Sequence, residues 1–321
     1  MIFQKKIAGL EISPDKIRVV ELAQGSPKPR LLNVGSIDLP EGAVKDGFIK
    51  KPDEVSNSLK KLWKEAGINT KDVLLGLNNQ YVLVRVANMP KTNPEHVDRS
   101  ILFQAQDHLP VPLSTVELDY LVIDDNVAGR PDVIKVMLVA GGKNMIQQHI
   151  DAIQDAGLRV VDIDISALAL SKILTEEQLS GTNISINLCK DISVLVITSY
   201  GKPVFVRNMS VKITDEHVSG TDPNHDLSSL TSSISGDIIA SVNYFKENYP
   251  DTNIGNIYMT GLLCRNERFL QAMNDDAGIR LIPVNPFEIL SDKKNKTADI
   301  QIPGEYGVAA GLAIRGLEGT F

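Results

Sequence analysis

The sequence predicts an α/β protein of two duplicated domains, the first carrying a small inserted α/β subdomain. Three observations predict it. The stretch Ile7–Leu22, IAGLEISPDKIRVVEL, reads as strand, tight turn and strand, and a similar unit recurs at Ile184–Ile197, ISINLCKDISVLVI. Each unit is followed by a turn and a third apolar strand, and helical periodicity comes after. Between them, Tyr81–Ile165 reads as strand, helix, strand, strand, helix, strand, the pattern of an inserted subdomain. The expected limits are 1–170 for the first domain, with the insertion at about 81–165, and 171–321 for the second.

The first meander is Ile7–Ile12 and Ile17–Leu22 around the turn SPDK, followed by Leu31–Leu39 after a Gly/Pro-rich turn. Pro52-Asp53 opens a helix with Val55, Leu59, Leu62 and Trp63 on one face and Gly67 as its stop. Val73–Leu77 and Tyr81–Val86 are strands. Asn93-Pro94 starts a helix with Val97, Ile101, Ala105 and Leu109 spaced four apart, ending in PVP. Val116–Ile123 and Val133–Ala140 are strands, Lys143–Ala156 a helix, Val160–Ile165 a strand, and Ser166–Leu174 a connecting helix. The second meander runs over Ile184–Cys189, Val194–Ser199 and Pro203–Val211. Thr214–Ser235 is polar and weakly periodic and reads as a loop, with Ser228–Ser235 as linker. Helices at Asp237–Asn248 and Asn266–Asp275, strands at Asn256–Thr260 and Ile279–Val284, and a small-residue helix at Gly304–Arg315 complete the chain.

Composition excludes several functions. A net charge of -7 without a basic cluster argues against nucleic acid. Two cysteines far apart and five scattered histidines give neither a disulfide framework nor metal-ligand spacing. No apolar run reaches spanning length, and MIFQKKIAGLEI lacks the features of a secretory signal, so a cytoplasmic location is expected.

Two meanders followed by helices are the plan of the actin-like ATPase (ribonuclease H-like) fold. The resemblance becomes specific at GLEISPDKIRVVEL, ILFQAQDHLPVPLSTVELDY, VAGGKNMIQQHIDAIQDAGLRVVDIDISALAL, KPVFVRNMSV, VNPF and YGVAAGLAIRGL. These segments resemble the PilM family, cytoplasmic pilus-assembly proteins related to FtsA. The resemblance implies a nucleotide clamped between two hairpins, with carboxylates holding hydrated Mg²⁺. Residue by residue, it places Glu11, Ser13, Lys16, Asn187 and Gly261 at that site. Several of these positions depart from the family pattern. Pro14 lacks an N–H, Asn187 is neutral, Cys189 carries a Cβ where glycine is usual, Leu262 and Leu263 replace glycines, and Ser166 stands where an acid is common. The polar stretch 212–235 is shorter than the family's corresponding subdomain. The cofactor expectation is therefore none, or ATP with Mg²⁺ at a weakened site, and a binding protein is expected over an enzyme.

The resemblance also implies a partner, the N-terminal cytoplasmic segment of a PilN-like inner-membrane protein of the pilus assembly platform. It would tie the protein peripherally to the inner membrane. The inserted subdomain would receive that segment, with Val84 on a strand and Ile101, Phe103 and Gln106 on a helix as walls of a groove. An assembly ATPase and an FtsA-like polymer, a homo-oligomer, are the alternatives. From the residues alone, Glu11 and Glu21 are expected at solvated strand ends rather than at metal-linked work, Lys16 and Arg18 equally as phosphate-steering or exposed strand charges, and Cys189 as a small buried hydrophobe. Asp162 and Asp164 share a strand face; one could touch the cleft, and at least one is expected to cap the following helix.

Overall fold

The computed structural model describes residues 4–92, 97–127, 129–219 and 227–319. Its first sheet starts with the antiparallel meander β1 (Lys6–Ile12), β2 (Lys16–Ala23) and β3 (Arg30–Asp38). A two-stranded ribbon, β4 (Val44–Lys45) and β5 (Phe48–Ile49), leads into α1 (Pro52–Ala66). β6 (Asp72–Leu77) then adds parallel to β1.

The chain next leaves for a three-stranded antiparallel sheet of β7 (Leu83–Pro90), β8 (Val116–Asp124) and β9 (Val133–Gly142), in the order β7-β9-β8. One face of this sheet is covered by α2 (Val97–Gln104), and Ile101 fills a core with Met89, Val136 and Leu138. The start of α2 expected at Asn93-Pro94 lies outside the described residues. α3 (Lys143–Asp155) and β10 (Arg159–Ile165) belong elsewhere than the sequence reading put them. β10 pairs parallel with β6, and α3 packs on α1, so both build the first sheet and its outer core. A strand's partner is set by which edge is free when the chain returns, and periodicity does not report that.

After α4 (Ser166–Ala169), the second sheet repeats the plan. β11 (Thr182–Leu188), β12 (Ser193–Ser199) and β13 (Lys202–Met209) form the meander; β14 (Ile254–Gly261) and β15 (Leu281–Pro283) add in parallel. Read from the third meander strand, both sheets have the same order, β3-β2-β1-β6-β10 and β13-β12-β11-β14-β15. The short α5 (Asp215–Ser219) precedes α6 (Ser228–Asn248), and α7 (Glu267–Asp275) follows β14.

The expected loop is corrected here: Ser228–Ser235 is the first part of α6, two turns ahead of the predicted start. Its serines face outward while Leu230, Ile234, Ile238 and Phe245 bury against the second sheet, so tertiary packing outweighs modest serine propensity. The last helix, α8 (Gly307–Glu318), buries every residue except Arg315 and Glu318. With α4 it fills the core between the two sheets, where Leu74 and Val20 meet Val194 and Tyr258. Its small residues permit backbone contact: a Cβ on Gly9 would lie 2.0 Å from the Ala309 carbonyl oxygen. Among the described residues no helix is long and apolar enough to cross a membrane.

Candidate functional site

The cleft between the halves is where the two hairpin turns meet. The turn after β1 brings Ser13 and Asp15, and the turn after β11 brings Cys189, Lys190 and Asp191. Gly261 ends β14 with φ +95°, and a Cβ there would fall 2.1 Å from the Leu188 carbonyl oxygen, so glycine is required. The reversal lets Leu262 N donate to Leu188 O at 2.9 Å. Leu262 lines the cavity, but Leu263 is buried in the second core and does not fill the cleft.

Of the five nucleotide positions, Glu11, Ser13 and Gly261 share one cavity. Asn187 sits behind it, accepting from Thr260 Oγ1 at 3.0 Å and donating to Cys189 Sγ at 3.1 Å. Lys16 points away and pairs with Asp38 at 3.5 Å. The charges expected at the surface are largely inside. Arg18 is 5% exposed, and its Nη2 donates to Glu305 Oε2 at 2.8 Å, with Nε to the same oxygen at 3.1 Å. Arg18 Nη1 also donates to Ser13 Oγ at 3.3 Å. Glu21 is fully buried because its carboxylate accepts from the backbone N–H groups of Thr70 and Asn69. Burial pushes the Glu11 carboxyl up to about 7, against the pull of Arg18. Burial likewise pushes the Cys189 thiol up, so it stays protonated and inert. Lys190 reaches Asp15 of the opposite hairpin at 3.6 Å and also pairs with Asp215.

These groups leave a cavity of about 20 Å³, room for roughly one water. The Arg18–Glu305 pair lies in the cleft, Pro14 has no amide N–H, and Cys189 lines the same cavity. Lys190, Asn78 and Glu305 are cleft residues that no sequence motif marks. Glu305 lies 287 positions from its partner, a distance no local motif spans. Ser166 lies outside the cavity lining, fully buried beneath Gly76. Asp162 and Asp164 cap nothing: both meet Arg315 of α8, at 2.7 and 3.2 Å.

A second concavity is larger. The free edges of β7 and β13 flank a groove of about 440 Å³ lined by Val82, Val84, Val86, Phe205, Val206 and Tyr244, with Arg85 and Arg207 on its walls. Tyr244 is exposed and packs on Phe205 at a ring distance of 5.6 Å. Of the four expected partner residues, only Val84 lines this groove. Ile101 is core on the opposite face of the sheet, Phe103 is 85% exposed on α2, and Gln106 is tied to the Val111–Leu113 backbone. Side chains alternate along β7: Ala87 and Met89 meet the α2 side, while Val84 and Val86 face the second half. A single wall therefore cannot include Val84 and Ile101.

The fold is shared with known proteins. One solved structure, titled a PilM-PilN type IV pilus biogenesis complex, matches with a TM-score of 0.83 and 22% identity over 97% of this chain and 98% of that one. The ethanolamine utilization protein EutJ of Carboxydothermus hydrogenoformans matches at TM-score 0.51 and 12% identity, over 97% and 89%. Component A of the (R)-2-hydroxyglutaryl-CoA dehydratase of Acidaminococcus fermentans matches at 0.50 and 8%, over 98% of each chain. The duplicated sheets are thus the actin-like ATPase fold. A family model described as type IV pilus assembly protein PilM matches residues 9–210, well over half of the sequence. This chain belongs to the PilM family of type IV pilus assembly proteins.

Proposed function

We propose that the protein is a cytoplasmic scaffold of type IV pilus or related secretion machinery. It receives the N-terminal segment of a PilN-like inner-membrane protein, which holds it at the membrane. The observation that carries this reading is the groove between β7 and β13. Two sheet edges with unpaired backbone groups flank an apolar floor, the geometry for strand addition by an extended chain. Val84, Phe205 and Tyr244 offer apolar contacts to the segment. The same reading makes the interdomain cleft a structural joint. Its support is the buried Arg18–Glu305 pair in a space of about 20 Å³.

Titration calorimetry with a synthetic N-terminal segment of the PilN-like protein, and separately with Mg-ATP, tests the proposal. Saturable segment binding that is lost on Val84→Asp, with no heat from Mg-ATP, is the expected result. Tight Mg-ATP binding without segment binding would overturn it in favour of an assembly ATPase.

A further inference from the structure

We propose that Arg18, Glu305, Lys190 and Asn78 are positioning residues for the groove: their cleft contacts form a latch that sets the spacing of its walls. The inference rests on the reading of the groove as the partner site. The two walls come from opposite halves of the molecule. β7 continues from β6 of the first sheet, and β13 is the outer strand of the second. Their separation is therefore fixed by whatever fixes the halves.

Polar links cross between the halves at several places, Lys135 Nζ to Tyr249 Oη at 2.9 Å and Leu31 N to Ser291 O at 3.0 Å among them, and three lie at the cleft. Asn78 Nδ2 donates to Ile192 O at 2.8 Å. Asn78 directly follows β6 at the root of β7, and Ile192 directly precedes β12, the neighbour of β13. The link thus joins the bases of both walls. Lys190 and Asp15 join the two hairpin turns at 3.6 Å. Arg18 of β2 meets Glu305 in the 3-10 turn Pro303–Tyr306, which also packs on the end of β14 through Gly304 against Cys264 and Gly261. This pair is nearly out of solvent, with side chains 6% and 14% exposed, so screening by salt is weak. Removing one partner leaves the other as a buried charge, and the halves separate locally to hydrate it. In a nucleotide-dependent clamp a ligand would bridge the hairpins. Here Lys190 and Asp15 bridge them.

The test uses the full chain with spin labels at Arg85→Cys and Asn208→Cys, both exposed on the groove walls. The distance distribution between them is measured by pulsed electron resonance, and segment affinity by fluorescence anisotropy on unlabelled protein. Glu305→Gln should move or broaden the distribution outward and weaken segment binding by about tenfold. Lys190→Met, which removes the hairpin link together with the Lys190–Asp215 pair and keeps Arg18 paired, serves where Glu305→Gln does not fold, and should act in the same direction. Folded variants with the wild-type distance distribution and wild-type affinity overturn the latch. A wild-type protein that binds no segment overturns the partner reading instead, and the distance measurement then still decides whether the cleft pairs hold the walls.

Discussion

Glu11 stands directly opposite Arg18 in the β1–β2 ladder, yet burial raises its carboxyl to about 7 against the pull of Arg18, whose guanidinium bonds Glu305. Burial dominates, and Glu305 and Asp15 oppose a second negative charge there. The folded value near 7 lies above the ordinary 4.5. Stability from this group is therefore complete below pH 4.5 and is lost as pH rises through 7. Glu11→Gln mimics the protonated form. It should stabilise the protein by about 3 kcal/mol at pH 8 and by little at pH 4.5. Urea unfolding at several pH values checks this; parallel curves for both proteins would refute it.

Arg315 neutralises Asp162 and Asp164 together, and Asp164 is the more enclosed, with its carboxyl raised by burial to about 6 despite the guanidinium. Arg315→Met should cost about 3 kcal/mol at neutral pH. Adding Asp164→Asn should restore part of the loss, because the uncompensated buried charge is gone. A double-mutant cycle by thermal unfolding measures the coupling.

Gly9 touches α8 backbone to backbone, with Ala313 N 2.5 Å from the position of a Cβ. Gly9→Ala should destabilise by about 3 kcal/mol or more, since backbone cannot yield as a side chain does. Gly142→Ala, where nothing lies within 4 Å and φ is -62°, should be neutral. Melting temperatures of the two variants separate the effects.

On α2, Phe103→Ala should change stability by less than about 0.5 kcal/mol, whereas Ile101→Ala should cost about 2–5 kcal/mol. Neither should alter segment affinity beyond what loss of fold explains. Tyr244→Ala, on the groove floor side, should lower affinity at unchanged stability. Anisotropy and chemical unfolding on the same samples distinguish these outcomes.

The duplicated meanders were legible because Ile7–Leu22 and Ile184–Ile197 carry local signals, alternation plus turn residues, that survive without tertiary knowledge. The family signatures extended this to the duplicated fold, but not to the placement of α3 and β10, which join the first sheet and its core rather than the insertion. The first turns of α6 were not read because serines obscured Leu230, Ile234 and Ile238, whose spacing of four was present in the sequence. Strand parity along β7 was also available and would have separated Val84 from Ile101. The cleft pair was not legible at all: Arg18 and Glu305 are brought together by folding, and each alone is an ordinary charged residue. The departures at Pro14, Asn187 and Cys189 fall in or beside the two hairpin turns, but they did not reveal that Arg18 and Glu305 pair between them.

The burial of α8 against β1 has a consequence for the order of events in folding. Gly9 and Ala309 meet across about 300 positions of sequence, so the cover that α4 begins over the inner face of the first sheet is completed only when α8 is made. During synthesis the first meander, α1 and β6 can assemble, but their apolar inner surface at Ile7, Val20 and Leu74 waits only partly covered while the entire second sheet is translated. The early repeat is thus finished by the late one. Premature termination before Gly307 should yield an aggregating product rather than a folded fragment, and the ribosome-bound chain presents a long-lived sticky face to the cell's chaperones.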